Sequence, residues 1–478
     1  MSVPASLCIG TLIIICITHW VYRWRNPKCS TGKLPPGSMG FPIYGETHQF
    51  FAPTTTISDV PPFIKERMER YGPVFKTSLV GQSFIVSTDP EVNHTIMTQQ
   101  EGRSFKYWYP ESVHKMFGKE SLMVLHGAVH KHIRSMVVHH FGPKSLKQEL
   151  FPRVVQGVQR NLSSWTGQDS IELNEALKTM MFGLTAKILI GYDQTKPTEN
   201  LRKCFDAFIE GFISFPLDIP GTAYHRCLQG RKKAMKILKD MLQERQKTPK
   251  NCQDDFFDCV LDELKTEGTS LTEGIALDLM FLLLFSGFET TSLETTFAIK
   301  LLTDNPTVLK ELTEENEAII RSRTNVDAQL TWKEYKSMKF TIQVINESLR
   351  LGNIIPGVFR KALKDVQIKG YTIPAGWGVM IAIPPVHTNP AKYKDPLEFN
   401  PHRWDGVELK GGTEDFLAFG AGQRFCVGSD FARVQMAVFL HHLVTKYRWK
   451  VIKGGDIARA PGLTFPNGIH VKISEKNT

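Results

Sequence analysis

The sequence contains no CxxC pair among its eight cysteines, which are scattered at positions 8, 16, 29, 204, 227, 252, 259 and 426. This spacing indicates neither a zinc site nor a disulfide framework, and it suits a reducing compartment. Internal repeats and low-complexity tracts are also missing. The 478 residues, 42% hydrophobic and 22% charged, therefore describe a globular chain that can bury a large core.

Two further absences narrow the class of partner. No basic block is interleaved with aromatic residues, so the formal net charge of +10 favours an anionic membrane surface or an acidic protein over nucleic acid. No glycine-rich turn joins a strand to a helix as in a nicotinamide or flavin site, because Gly420 and Gly422 lie in a loop before the last predicted helix. Any such nucleotide is therefore expected on a partner protein.

Charge is absent from Val3 to Tyr22, and most of that stretch is apolar. At about 1.5 Å per residue, a helix of this length reaches the roughly 30 Å of a hydrocarbon core. The alternative, a cleaved signal peptide, requires positive charge before the apolar run, whereas Arg23 and Arg25 follow it. We predict an anchor helix at residues 1–22 with a lumenal amino terminus, a basic and proline-rich strap at 23–42, and a cytosolic body at 43–478.

Apolar periodicity and the placement of Pro and Gly predict a mainly α body with a smaller β portion. Strand-like alternation occurs in short runs only, whereas helical periodicity dominates the middle of the chain. The predicted elements are a helix from about Pro61 to Tyr71, strands at Val74–Leu79 and Ser83–Ser87, a helical region from 145 to 350 that breaks near Phe215 to Gly221, short strands after Arg350, and a last helix from about 429 to 447.

Cys426 stands in a glycine-rich loop that runs from Phe419 to Gly428, directly before the last predicted helix. A thiolate is costly to hold away from water, but a helix amino terminus and free backbone N–H groups lower the pKa of a cysteine and donate hydrogen bonds to its sulfur. Glycines at 420, 422 and 428 let the backbone curl close to that sulfur. A lone buried cysteine is usually inert packing, but these features would suit a metal-binding thiolate and would let a flat macrocycle approach it.

The loop pattern FxxGxRxCxG resembles the cysteine signature of the cytochrome P-450 superfamily, and three further segments resemble that family's motifs in the same order. The resemblance covers essentially the whole chain from Leu34, and it implies the P-450 fold with haem between the I and L helices. The three segments are Ser286-Gly-Phe-Glu289-Thr290-Thr, similar to (A/G)GxxTT of the I helix, Glu347-Ser-Leu-Arg350, similar to ExxR of the K helix, and Phe399-Asn-Pro-His-Arg403-Trp, similar to FxPxRF.

The resemblance implies that Cys426 is the axial ligand of the iron of haem b. Arginines near the loop are then expected to meet the haem propionates. His130 stands where the family has a tryptophan that donates to a propionate, and a solvated face is an open alternative for it. The other residues expected to contact haem or to shape its loop are Arg134, Arg360, Arg424, Phe419, Gly422 and Gly428.

Glu289 and Thr290 are expected, by the same resemblance, to relay protons to O₂ bound beside the iron. Ser286 departs from the family pattern, which has Ala or Gly there, so its hydroxyl is expected to alter the water network or to contact substrate. The expected role of Glu347, Arg350 and Arg403 is a structural network that locks the core under the haem.

The substrate pocket is expected to be mostly apolar, which fits a large hydrophobic ligand with one or two polar handles. Any core-facing segment would have a similar composition, so the residues alone leave the substrate open. Segments such as LPPGSMGFPIYGET resemble the plant microsomal clan that oxidises steroids, phytosterols and triterpenoids. The expected reaction is oxygen insertion into a C–H bond, with successive oxidation or cleavage of a sterol side chain as a specific form. Pocket candidates are Tyr107, Trp108, Phe117, Phe212, Phe215, Phe285, Ser286, Ile355, Val358, Leu463 and Phe465.

Electrons are expected from an NADPH–cytochrome P-450 reductase at the endoplasmic reticulum membrane, with cytochrome b5 as a second donor. A basic face would dock this acidic partner, with contributions from Lys131, Arg134, Arg424 and Arg433. Two alternatives remain open. A haem-thiolate isomerase or dehydratase would not need the Glu289–Thr290 relay, and a non-catalytic sterol- or haem-binding membrane protein would need neither relay nor partner.

Overall fold

The body contains far more helix than strand, so the expected mainly α class is confirmed. The computed structural model describes residues 3–29, 31–55, 60–99, 101–192, 201–247, 255–409 and 411–476. The helices are α1 (Val3–Arg25), α2 (Thr47–Phe50), α3 (Pro62–Tyr71), α4 (Pro90–Thr98), α5 (Glu111–Phe117), α6 (Gly127–His140), α7 (Pro143–Ser145), α8 (Phe151–Trp165), α9 (Leu173–Ile190), α10 (Leu201–Phe212), α11 (Ala223–Lys247), α12 (Phe256–Lys265), α13 (Glu273–Asp304), α14 (Pro306–Arg321), α15 (Trp332–Ser337), α16 (Lys339–Gly352), α17 (Pro384–His387) and α18 (Ser429–Lys446).

The strands form a mixed five-stranded sheet, in the order β1-β2-β8-β5-β3, together with a three-stranded sheet in the order β4-β12-β9 and two hairpins, β6-β7 and β10-β11. The β2–β8 pair is parallel, and the other pairs of the large sheet are antiparallel. The strands are β1 (Val74–Leu79), β2 (Gln82–Ser87), β3 (Phe105–Tyr107), β4 (Ile171–Glu172), β5 (Gly357–Ala362), β6 (Val366–Ile368), β7 (Tyr371–Ile373), β8 (Gly378–Ala382), β9 (Tyr447–Gly454), β10 (Ala458–Arg459), β11 (Leu463–Thr464) and β12 (Ile469–Glu475).

Local chemistry explains why the predicted boundaries are close to the observed ones. Helix α3 begins on Pro62, whose fixed φ suits a first helical residue, and it ends at Gly72, whose φ of 90° continues no helix. Strand β1 has the predicted bounds, and β2 begins one residue earlier than predicted. The predicted break in the helical region falls between α10 and α11.

Helix α13 is the central element of the body. The Thr272 hydroxyl accepts from the Ile275 N–H at 3.1 Å and so fixes its start. Among the described residues, α13 is the helix long and apolar enough to cross a membrane by length and composition, but 67% of its most apolar window is buried inside the body. Its side chains belong to the main hydrophobic cluster, which also includes α8, α9, α11 and α18. Helix α13 therefore lies at the centre of the main hydrophobic core.

The predicted anchor segment is helical, and α1 extends three residues beyond the predicted end at Tyr22. Its apolar side chains from Ile9 to Ile17 are largely exposed and take no part in the hydrophobic clusters. The strap that follows is attached to the large sheet, because the Lys76 N–H donates to the Pro36 carbonyl oxygen at 2.8 Å. The Trp24 indole also donates to the Met39 carbonyl oxygen at 3.1 Å.

Buried histidines make the stability of this fold sensitive to acid. Burial lowers the pKa of His140 to about 4 and the pKa of His387, His441 and His442 to about 3, below the ordinary value of 6.5. The unfolded chain therefore binds protons first. Stability is fully present above pH 6.5, and each group is expected to remove about 1.4 kcal/mol per pH unit below it, until its folded pKa is reached.

We expect the melting temperature to fall steeply from pH 6.5 to pH 5. The melting temperature of His442→Leu should fall less over this range than that of the wild-type protein. Neither ring nitrogen of His442 has a hydrogen-bond partner among the described residues, so the substitution removes a titrating group without breaking a hydrogen bond. His139→Leu is the matched control, since His139 is exposed in α6. Identical melting curves for both variants across the pH series would contradict the expectation.

Candidate active site

Cys426 lies at the end of a tight loop that leads into α18. The Cys426 N–H donates to the Phe419 carbonyl oxygen at 2.9 Å, and the Phe425 N–H donates to the Gly422 carbonyl oxygen at 3.0 Å. Gly422 has a φ of 68°, and a Cβ there would lie 2.2 Å from the Met97 carbonyl oxygen. Gly428 differs from the expectation, because its φ of −92° suits any residue and its place is explained by the N-cap of α18.

Burial and the polar groups around Cys426 shift the pKa of its thiol in opposite directions. Burial raises the pKa of Cys426, whereas a hydrogen bond from the Gly428 backbone and the charges of Arg134 and Arg433 lower it. The residue is nevertheless partly exposed at the surface. A thiolate held there has donors on its protein side and needs a cation on its open side.

The predicted cations gather near the loop, with one unexpected partner. Arg424 donates to both oxygens of Glu101, at 2.8 Å and 2.9 Å for its Nη2, and to the Leu122 and Leu125 carbonyl oxygens. Burial opposes the charge of Glu101, but hydrogen bonds from His126 and Arg424 lower its pKa to about 2. Arg424 therefore forms an ion pair with Glu101, an acid that no sequence motif had indicated.

The remaining cations have no such acid. Arg134 donates to the Phe425 carbonyl oxygen at 2.6 Å, and Arg360 is buried against the Tyr107 ring with its guanidinium carbon 4.7 Å from the ring centroid. Neither forms an ion pair with a carboxylate in the described part of the chain. His130 is buried, so the solvated-face alternative is wrong. Burial, and then the charge of Arg424, lower the pKa of His130 to about 4.

The expected docking face is wrong in part. The side chains of Arg424 and Arg433 are only 10% and 14% exposed, and Arg433 lies over the Phe419 ring at 4.6 Å. Arg134 is half-buried, whereas Lys131 is exposed. Charge buried this deeply acts on the loop rather than on an approaching protein, so of the four residues Lys131 alone presents its charge openly.

Glu347 is fully buried at the centre of a hydrogen-bond network. Its carboxylate accepts from Arg350 Nε and Nη2, both at 2.8 Å, and from Arg403 Nε at 2.8 Å. The Trp404 indole at 3.0 Å and the Asn400 N–H at 3.1 Å complete the shell, although the sequence had not indicated either donor. Arg350 and Arg403 then donate to carbonyl oxygens between residues 387 and 398. The network therefore ties α16 to the segment before the cysteine loop.

The hydroxyl groups of Ser286 and Thr290 lie on the accessible face of α13, one turn apart. The Thr290 hydroxyl donates to the Ser286 carbonyl oxygen at 2.9 Å. Glu289 faces another direction, toward α9, where Lys178 Nζ lies 3.1 Å from its Oε1. Burial raises the pKa of Glu289, and the nearby Lys178 opposes that rise. The acid and the hydroxyl are therefore neighbours in sequence but point to different partners.

Three predicted pocket residues meet in one aromatic cluster. The ring centroids of Phe117, Phe212 and Phe285 lie 5.3 to 5.6 Å apart, with edge-on or tilted contacts. Phe208 and Phe281 belong to the same cluster, and the sequence had not singled them out. This cluster, the aromatic wall, joins α5, α10 and α13.

The other aromatic and aliphatic pocket candidates do not belong to this aromatic cluster. Trp108 packs against Phe84 at 5.8 Å in the large sheet, and Tyr107 lies with the arginines. Phe215 is 57% exposed in the segment after α10, and Ile355 is also exposed. Val358 of β5 is half-buried. Leu463 is buried in β11, and Phe465 follows it half-buried.

Residues 35–472 match the family described as Cytochrome P450. The chain belongs to the cytochrome P450 family. It is 54% identical over 479 residues to Cytochrome P450 87A3 of Oryza sativa subsp. japonica, covering 100% of this chain and 93% of that protein. It is 41% identical to Cucurbitadienol 11-hydroxylase of Siraitia grosvenorii (98% and 99% covered) and 40% identical to Beta-amyrin 16-alpha-hydroxylase CYP87D16 of Maesa lanceolata (98% of both).

The fold agrees with this membership. The retinoic acid-bound cyanobacterial CYP120A1 structure superposes with a TM-score of 0.83 at 26% identity, covering 93% of this chain and 100% of that one. The chain is therefore a P450 monooxygenase with the P450 fold, and its family works with haem, O₂ and electrons from a redox partner. The residues described above fit haem, because the exposed thiol of Cys426 lies near the charge of Arg134, and neither Arg134 nor Arg360 forms an ion pair with a carboxylate in the described part of the chain.

Removing one member of the buried network should be costly. We expect Glu347→Gln to lower the free energy of unfolding by about 3–5 kcal/mol, because two guanidinium groups lose their buried counter-charge. Glu311→Gln is the matched control, since Glu311 forms an exposed pair with His402 and should change stability by about 1 kcal/mol or less. Denaturant unfolding of the purified variants measures both, and equal losses would contradict the role of Glu347.

Proposed function

We propose that this chain is a membrane-anchored haem-thiolate monooxygenase that hydroxylates a triterpenoid or sterol skeleton. The observation that carries the proposal is the exposed thiol of Cys426 before α18, near the charges of Arg134 and Arg433. Helix α13 contributes the accessible hydroxyl groups of Ser286 and Thr290. Haem b bound through Cys426 would supply the iron at which one atom of O₂ enters a C–H bond while the other leaves as water. Arg134, Arg360 and His130 would hold its propionates.

The proposed relay places proton transfer on α13. The Thr290 proton is held by the Ser286 carbonyl oxygen and becomes available when that bond opens. Glu289 would accept or release a proton at Oε2, which has no hydrogen-bond partner among the described residues, while Lys178 holds Oε1. Ser286 would bind water beside Thr290, which extends the relay toward the cleft.

The substrate proposal rests on the aromatic wall and on the relatives. A wall of Phe117, Phe212 and Phe285 suits a rigid polycyclic hydrocarbon, because it offers large apolar area and no charge. Two of the relatives are a cucurbitadienol 11-hydroxylase and a beta-amyrin 16-alpha-hydroxylase. Leu463 of β11 and Phe465, which follows that strand, would also contact the ligand. Hydroxylation is the minimal reaction, and successive oxidation of a side chain would use the same site.

The proposed location is the endoplasmic reticulum membrane, with the body on the cytosolic side. The helix α1, whose apolar side chains from Ile9 to Ile17 are largely exposed and whose last turn carries Arg23 and Arg25, supports an anchor. A second apolar surface at Ile213, Phe215, Leu217 and Ile219 is exposed on the body and supports contact with the same bilayer. Electrons would come from an NADPH-dependent reductase, with cytochrome b5 as a second donor.

Reconstitution with a reductase tests the proposed function directly. We expect NADPH-dependent hydroxylated products from a panel of triterpenes and sterols, identified by mass spectrometry. Cys426→Ser should abolish product and the thiolate-type absorption band of the reduced, CO-bound protein. Cys227→Ser, a buried cysteine of α11, is the matched control and should keep both. Turnover without reductase would favour an isomerase, and tight binding without turnover would favour a binding protein.

The relay makes a separate prediction. Thr290→Val should keep NADPH oxidation but lower the product formed per NADPH at least about tenfold, because the hydroxyl that passes the proton is lost. Glu289→Gln should act in the same direction. Thr291→Val is the matched control, since Thr291 is buried on another side of α13. A Thr290→Val enzyme as well coupled as Thr291→Val would refute the relay.

A further inference from the structure

His387 joins the end of α16 to the start of the cysteine loop. It is the last residue of α17 and is fully buried. The Leu417 N–H donates to its Nε2 at 2.9 Å, so Nδ1 must carry the ring proton of the neutral imidazole. Nδ1 donates to Asn353 Oδ1 at 2.7 Å and lies 3.1 Å from the Arg350 carbonyl oxygen. Each ring nitrogen therefore has a partner in a different part of the fold.

The same residue is attached to the Glu347 network through its backbone. Arg350 Nη1 donates to the His387 carbonyl oxygen at 2.7 Å. The imidazole stacks on Phe416, with the ring centroids 5.4 Å apart at 23°. Burial, and then the charge of Arg350, lower the pKa of His387 to about 3. The ring is thus neutral near neutral pH and keeps a lone pair for Leu417.

The backbone of Leu417 forms the turn that leads into the cysteine loop. Its carbonyl oxygen accepts from the Gly420 N–H at 2.9 Å, and this turn places Phe419, whose carbonyl oxygen accepts from the Cys426 N–H at 2.9 Å. Leu417 itself is fully buried. A short chain of hydrogen bonds therefore runs from the side chain of His387 to the backbone of Cys426.

We propose that His387 is a positioning residue, whose bridge from Asn353 to Leu417 holds the loop in the conformation in which Cys426 binds the haem iron. The inference rests on the proposed role of Cys426. Without the bridge, the Leu417 N–H is buried with no acceptor, which costs more than the hydrogen bond contributes. The loop then relaxes toward conformations in which the sulfur is detached from the iron.

The test uses the full-length holoenzyme and three variants. His387→Phe keeps an aromatic ring against Phe416 and removes both ring hydrogen bonds, whereas His387→Gln keeps an acceptor and a donor. His441→Phe is the matched control, because His441 is a buried histidine of α18 whose Nδ1 contacts Asn316 at 2.8 Å. The measurements are the fraction of reduced, CO-bound protein with the thiolate-type band, the rate of haem transfer to apomyoglobin, and the melting temperature.

We expect His387→Phe to lose most of the thiolate-type fraction and to release haem about tenfold faster. His387→Gln should restore both properties, and His441→Phe should keep them even where its melting temperature falls. Wild-type spectra and haem release in His387→Phe would overturn the inference, as would an equal loss in His441→Phe. A wild-type protein without the thiolate-type band would instead refute the proposed function.

A second variant keeps the inference testable if His387→Phe fails to fold. Asn353→Gly removes the Oδ1 acceptor and leaves the backbone unstrained, because the φ of 45° at this position suits glycine. We expect a smaller loss of the thiolate-type band in the same direction. An unchanged spectrum would overturn the bridge.

Discussion

The buried carboxylate of Glu347 is the interaction on which the carboxyl-terminal half of the structure depends. Water does not reach it, so its charge is stable only while Arg350, Arg403, Trp404 and Asn400 donate to it. These donors come from α16 and from a short 3₁₀ helix, Pro401–Trp404, with its N-cap about fifty residues later. The ion pairs therefore fix the position of a segment that has only one short turn of its own, and the cysteine loop lies beyond that segment in the chain.

The features that the sequence predicted are those governed by local rules. A spacing of three residues places Glu347 and Arg350 on one helical face, and the structure joins them there. Left-handed backbone at Gly422 follows from a turn that other residues fit poorly. The bounds of α3, β1 and β2 also agree with the predictions to within one residue, because Pro and Gly lie at or next to their ends. These inferences need no knowledge of which distant segments meet.

The features that the sequence did not predict are long-range partnerships. Glu101 and Arg424 are separated by 323 residues, and no motif marks the acid. Lys178 and Glu289 meet because α9 packs on α13, which is a property of the tertiary fold. Burial is equally non-local, so Arg433 was assigned to a docking surface although its guanidinium lies over an aromatic ring inside the protein. A sequence motif identifies a residue, but the packing of distant segments determines whether its charge is paired, buried or exposed to a partner.

Helix α13 shows how packing can also govern chemistry. Successive residues of a helix point about a quarter-turn apart, so Thr290 lies on the accessible face of α13 while Glu289 faces α9. A proton exchanged between them requires the carboxylate to leave Lys178. Burial raises the proton affinity of Glu289 and the lysine lowers it, so the acid is a stronger base with the pair open than with it closed. Movement of Lys178, or of the helix that bears it, would therefore change the protonation of a residue that never faces the substrate.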